Sequence, residues 1–267
     1  MDTQKAKKFN TDNIFQVIDA WTDETVRRKL EEQQTRLSKQ LVPELKLELA
    51  VKELQERTLA RMESDHAVRN LAAKFVQSLK GGLFEDAYQC FALDTADTWA
   101  AIEKYGVYKG AEKLREYFVD YYGKLGGGEG CFIEHELTTP VVEVAGDNET
   151  AKAMFLTEGV LAIDCGHWME THGVARSFWQ IGPWYMEFIR ENGVWKIWHL
   201  TVFDDVETPY EQSWSEFTDH ASLIRTEAPA PTAPLEDAHY FTPERAPFLH
   251  REPPRAYGTY AEGEVSC

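Results

Sequence analysis

Apolar residues first fall into a clear rhythm in "HAVRNLAAKFVQSLKGG". Val68, Leu71, Ala72, Phe75 and Leu79 recur at helical spacing, and the pattern stops at Gly81-Gly82, a normal helix terminus. "LFEDAYQCFAL" predicts a short second helix and "GAEKLREYFVDYYGKL" a third. "KLGGGEG" then reads as a flexible link, because no Gly-Lys-Ser/Thr follows the glycines to make a phosphate loop. Beyond it the period becomes two. Strands are predicted over 131–144, 151–163, 174–190 and 194–203, with "GDNE" and "ENG" as hairpin turns by their residue types. The last two strands, "PWYMEFIREN" and "VWKIWHLTVF", are apolar on both faces. Such a sheet has to be covered twice.

The flanks differ from this centre. From Thr22 to Ser64 the chain is rich in Glu, Lys, Arg, Gln and Leu, all strong helix formers. Thr22 or Asp23 is placed to cap a helix whose thin stripe is Leu30, Leu37 and Leu41. Pro43, lacking an amide hydrogen, is expected to end or kink it before a second helix with Leu47, Val51, Leu54 and Leu59. At the other end, the stretch from Thr226 holds seven of the eleven prolines together with Tyr240, Phe241, Phe248, Tyr257 and Tyr260. Proline at this density excludes a packed helix or sheet and predicts an extended strap lying along a surface. The expected organisation is an N-terminal helical arm over 1–64, an α+β domain over 65–215 and a proline-rich tail over 216–267.

A formal charge of −17 argues against nucleic acid and against an anionic membrane, since phosphates would be repelled. No stretch approaches the roughly 18 apolar residues of a membrane span, and "MDTQKAKKFNTDN" lacks the apolar segment of a signal peptide. The four cysteines show no paired spacing. They read as reduced thiols, and the expectation is a cytoplasmic protein.

Within "FIEHELTTPVVEVAGD", Ile133, His135 and Leu137 share one face of a strand while Glu134, Glu136 and Thr138 share the other. A titratable imidazole therefore sits amid positions built for a core. "LAAKFVQSLKGGLFEDAYQCF", "YGVYKGAEKLREYF", "IEHELTTPVVEVAGDNETAKAMF" and "WYMEFIRENGVWKIWHL" together resemble the SnoaL-like branch of the NTF2-like superfamily, over roughly residues 65–205. The resemblance implies a cone-shaped barrel, a curved antiparallel sheet wrapped on helices, with a pocket at the open end. It implies a homodimer or homotrimer. Enzymes of this branch include scytalone dehydratase, bile acid 7α-dehydratase and polyketide cyclases, which work without a cofactor. Longer members resemble the diarylpropane lyases, which release formaldehyde from lignin-derived aromatic dimers. His135 falls where the dehydratases carry their pocket histidine, and Glu158 near their second acid or imidazole. Phe75 and Lys80 occupy the places of their first-helix Tyr and Asp.

The expected chemistry is acid–base elimination on a hydroxylated aromatic or polycyclic molecule, with loss of formaldehyde or of water. His135 is the expected base or acid and Glu158 its partner. Tyr108, Tyr185 and His199 are candidate hydrogen-bond donors to a developing oxyanion, and Lys80 is a further cation for it. Cys165, His167, Glu170 and His172 in "IDCGHWMETHG" have the composition of metal ligands but no established spacing. No metal and no cofactor is expected. Of the eight tryptophans, Trp179, Trp184, Trp195 and Trp198 fall in the sheet region; some must be core, and a pocket lined by such rings suits a flat, largely apolar substrate. The same residues also fit a non-catalytic ligand- or protein-binding module, or the small subunit of an aromatic-ring dioxygenase.

Overall fold

In a computed structural model, residues 24–217, 219–223, 228–235 and 240–260 are described. The cap expected at Thr22 or Asp23, residues 1–12 and Cys267 lie outside them. The chain divides into two compact units, Met1–Leu59 and Ala60–Cys267.

Helix α1 runs from Glu24 to Lys80 without a break. Pro43 lies inside it, so the helix does not end there as expected. A proline removes one hydrogen bond of the ladder, and the long run of good helix formers on either side carries the helix past that loss. In the first unit the stripe of Leu30, Leu37, Leu41, Leu47 and Leu54 is exposed. Pairs such as Arg27–Glu31 and Lys52–Glu56 lie one turn apart along the helix. The part of α1 belonging to the second unit behaves differently. Val68, Ala72, Phe75, Val76 and Leu79 are buried, giving the helix one dry face.

Helix α2 (Phe84–Tyr88) follows the Gly81-Gly82 turn. The third predicted helix is helical throughout but not uniform: α3 (Ala111–Arg115) and α4 (Tyr122–Gly126) flank a π-helical turn, Glu116–Tyr121. The π turn buries Tyr117, Phe118 and Tyr121. Such turns re-aim side chains and recur at functional sites.

The four predicted strands are present as β3 (Phe132–Val144), β4 (Thr150–Ile163), β5 (Arg176–Glu191) and β6 (Val194–Val202). Short strands β1 (Trp99–Ile102), β2 (Gly106–Lys109) and β7 (Val206–Pro209) complete an open seven-stranded sheet of order β2-β1-β6-β5-β4-β3, with β7 paired to β5. Four residues of period-two pattern are too few to read with confidence from sequence, and these three strands were not expected. The β1–β6 pair is parallel and the other pairs are antiparallel. The architecture is the α+β arrangement of an NTF2-like domain, as expected from the resemblance.

Both faces of the sheet are covered. On one, Phe155, Trp184, Met186, Phe188 and Leu200 pack with Phe75, Phe91 and Phe118 from the helical side. Each such side chain removed from water contributes about 1.5–3 kcal/mol. The other face carries Met154, Tyr185 and Phe203 and is covered by the proline-rich tail. His250 stacks on Phe203, the Tyr185 hydroxyl donates to the Arg251 carbonyl at 2.8 Å, and Gly146 donates to the Tyr257 carbonyl. A shorter stretch of tail bridges to β2 through Ala233 and Val107. The second cover demanded by the two-sided strands is thus the chain itself.

Candidate active site

The site is a single row of residues lying across four strands. His135 on β3 is paired with Gly159 on β4, Gly159 with Gln180 on β5, and Gln180 with Glu207 on β7. Paired residues point to the same face, and neighbouring strands lie about 4.8 Å apart. The imidazole and the amide are therefore two strands apart, and any side chain between them would keep them separated. Gly159 removes that obstacle. A Cβ there would stand 2.7 Å from His135 Cδ2 and 2.9 Å from the Gln180 carbonyl oxygen. Across the gap His135 Nε2 and Gln180 Oε1 approach to 2.6 Å. An amide oxygen only accepts, so Nε2 carries the proton and the basic lone pair of the neutral ring is on Nδ1. Nδ1 has no hydrogen-bond partner and is not sealed from water.

Burial holds the His135 pKa down to about 4; the Gln180 bond opposes this, and the charge on Lys104 adds to it. The ring is neutral through the physiological range and is in the form of a base. Trp184 leans on it at 4.9 Å between ring centroids.

Beyond Gln180 the row turns charged. Lys104, in the turn between β1 and β2, donates to Glu207, and both side chains are almost fully buried. Asp204, in the loop between β6 and β7, is fully buried; its backbone amide donates to Glu103. Burial pushes the Asp204 carboxyl up, while Lys104 and the nearby Gln180 amide pull it down less strongly. Neither carboxyl oxygen has a hydrogen-bond partner. The region thus holds a neutral base and a buried carboxyl that burial biases toward its protonated form. That is the division of labour acid–base catalysis needs.

A cavity lies between this row and the helices. Its apolar walls include Phe75, Phe118, Tyr122, Ile133, Leu161 and Trp184, and its polar end is Lys104, Gln180 and Glu207. The envelope is about 610 Å³, of which about 40 Å³ admits the centre of a water molecule. It is closed down to a few waters in this conformation, and a ring-sized guest requires its walls to part.

Of the five residues expected from sequence, only His135 belongs to this row. Glu158 is exposed and paired with Glu136, on the opposite face from His135. With Gly159 occupying the His135 row, strict alternation sends its predecessor outward. Tyr108 is buried in the core, its hydroxyl donating to the Pro229 carbonyl at 3.0 Å and its ring 4.5 Å from Tyr117. Tyr185 and His199 lie on the outer face, where His199 Nδ1 meets Glu187 and its ring is stacked between Trp99 and Trp198. Lys80 is spent on Glu134 at 2.6 Å. The 163–173 insertion forms helix α5 (His167–His172), with Glu170 and His172 exposed. No group able to hold a metal ion is found among the described residues.

Gln180, Lys104, Asp204 and Glu207 were missed. The available signal was the glycine inside a strand, since such a glycine marks a close approach of other groups. The polar residues of "FDDVET" were the other.

Among solved structures the chain resembles a type 2 hexachlorocyclohexane dehydrochlorinase (18% identity, 60% of this chain and 97% of that one, TM-score 0.47). It also resembles the type 3 enzyme of Novosphingobium barchaimii (17%, 60% and 99%, TM-score 0.46) and an NTF2-like superfamily protein of Salmonella enterica (12%, 58% and 94%, TM-score 0.42). No curated protein matches the sequence. The sequence profile of the SnoaL-like domain matches residues 60–201, more than half of the chain, and the protein belongs to that family.

Proposed function

We propose that the protein is a cofactor-independent lyase acting on a hydroxylated aromatic molecule by acid–base elimination. The observation that carries this reading is the unprotonated His135 Nδ1, its ring fixed across Gly159 by Gln180, which itself lines an aromatic-walled cavity with a charged end. Two reactions use this device. In dehydration, His135 takes a C–H proton, the neighbouring C–O bond breaks as the double bond forms, and the hydroxyl leaves as water with a proton from a buried acid. In loss of formaldehyde, His135 takes the proton of a hydroxymethyl group and the C–C bond breaks. The electron pair left on carbon then forms a double bond by expelling an adjacent hydroxyl, which leaves as water with the proton His135 had taken. Both balance without a redox partner. The departing group of either is stabilised at the Lys104–Glu207 end of the cavity.

The direct test is incubation with a diarylpropane carrying a hydroxymethyl and a benzylic hydroxyl, following formaldehyde and the new conjugated double bond. Turnover that disappears in His135→Gln supports the reading. A His135→Gln protein that folds and turns over unchanged removes it.

A further inference from the structure

The helical wall of the cavity carries a phenol that the fold leaves without a partner. Tyr117 is the second residue of the π-helical turn Glu116–Tyr121. In a regular α-helix, Tyr117 and Tyr122 would stand about 140° apart around the axis. A π turn closes between residues i and i+5. Here it brings the two rings to 5.7 Å, and both line the cavity. Phe118 lines it as well, its ring 5.0 Å from that of Tyr117. The sheet wall is different in kind: it holds Gln180 and Trp184, the two residues that fix the His135 ring.

Tyr117 is only 2% exposed, with the rings of Tyr105, Tyr108 and Tyr121 also packed around it. A buried tyrosine hydroxyl usually finds a hydrogen-bond partner. Those of its neighbours do: Tyr108 donates to the Pro229 carbonyl and Tyr121 to the Tyr105 hydroxyl. The Tyr117 hydroxyl has no partner among the described residues, yet it is not one of the buried atoms sealed from water. For a side chain this buried, the open space its hydroxyl meets is the cavity it lines. Burial and the surrounding phenols push its pKa above the ordinary tyrosine value, so the oxygen keeps its proton and is offered as a donor. A buried polar group left unanswered in a native structure marks a place that something else fills.

We propose that Tyr117 is a substrate-binding residue whose hydroxyl donates a hydrogen bond to an acceptor oxygen on the ring system of the substrate. The guest lies between the two walls, with that oxygen at the π turn and its reacting carbon toward the sheet. The inference rests on the reading of the cavity as a substrate site. It narrows the substrate to an arene carrying a carbonyl, ether or phenolic oxygen on the edge away from the bond that breaks.

The test uses the full-length protein and two probes of one shape, acetophenone, which can only accept a hydrogen bond, and α-methylstyrene, which has no acceptor oxygen. Binding is followed by isothermal titration calorimetry. Tyr117→Phe removes the donor and nothing else. It is expected to weaken acetophenone fivefold or more, the loss of a buried hydrogen bond, and to leave α-methylstyrene within twofold. Because the hydroxyl has no partner in the protein, the thermal midpoint of the variant is expected to be unchanged or raised. An unchanged affinity for acetophenone overturns the proposal and leaves the cavity reading standing. So does an equal loss for both probes, which would assign Tyr117 to the shape of the wall, and so does binding of α-methylstyrene alone to the unaltered protein. A lowered midpoint or a failure to fold also overturns it, since the hydroxyl would then be bonded within the fold. Failure of both probes to bind the unaltered protein overturns the cavity reading and this inference with it.

Discussion

The two faces of the sheet each bury a histidine hydrogen-bonded to another strand, and the pair shows what separates a site from a strut. His135 and His199 are both about 5% exposed. His199 is held by Glu187, with Lys152 at 3.7 Å from the same carboxylate, and is sandwiched by Trp99 and Trp198 at 4.6 and 4.3 Å. Tyr260 of the tail closes over the group, donating to Glu187 at 3.2 Å. The remaining nitrogen of that ring, Nε2, is sealed from water. His135 is held by a neutral amide, has an unbonded nitrogen that is not sealed from water, and leans on Trp184, which with Gln180 lines the cavity. Chemistry is decided by what covers the ring, not by the ring or its strand.

The largest difference is expected in turnover. If the elimination reading holds, His135→Gln lowers kcat by roughly 10²–10⁴-fold, whereas His199→Gln leaves kcat within about twofold. Equal losses in both variants would erase the distinction drawn here. Stability reverses the order for charged groups: Glu207→Gln removes the carboxylate charge opposite the buried Lys104 and is expected to cost about 3–5 kcal/mol by denaturant unfolding.

Acid titration sharpens the comparison further. The folded-state pKa of His135, about 4, lies below the ordinary 6.5. Between these values the unfolded chain binds a proton that the folded chain refuses. Stability from this group is intact above pH 6.5 and is lost as pH falls toward 4, by about 3 kcal/mol in all. The stability difference between His135→Gln and the unaltered protein should therefore shift by that amount across the window, and a constant difference would contradict the burial assigned to the ring. Gly159→Ala forces a methyl into the imidazole and is expected to cost about 1–3 kcal/mol and to widen the His135–Gln180 contact, read as a changed imidazole signal in NMR. The smallest effect belongs to the outer face: Tyr185→Phe removes the bonds to Arg251 and is expected to cost about 1 kcal/mol with turnover unchanged.

Much of the frame was legible because its signals are periodic. The four long strands and the helix through Phe75 follow from alternation and helical spacing in long segments. Strands β1, β2 and β7 did not, because four residues do not establish a period. The site was legible only in part. Alternation correctly places His135 on the inner face, but it does not say which of two dry faces has a void behind it, so Tyr185 falls on the outer side. His199, expected to share a face with Trp195 and Ile197, is turned away from them by a register shift opposite Glu187 and Phe188. Glu158 was placed between Leu156 and Val160, and that placement holds; what fails is the assumption that this face looks inward, since Leu156 is itself 48% exposed. Gln180 and Glu207 depend on registers linking β3 to β5 and β5 to β7, a long-range property that no local pattern records.

Gly106 carries a final consequence. Its φ of +111° is open to glycine, and a Cβ there would lie 2.6 Å from the carbonyl oxygen of Ala233 and 2.9 Å from Pro231. The tail fits over this end strand with no clearance, and in doing so occupies backbone groups that would otherwise recruit a foreign strand. The prolines that keep the tail from joining the sheet as a regular strand also make it a poor template for further growth, so the molecule caps its own ladder against stacking with its neighbours.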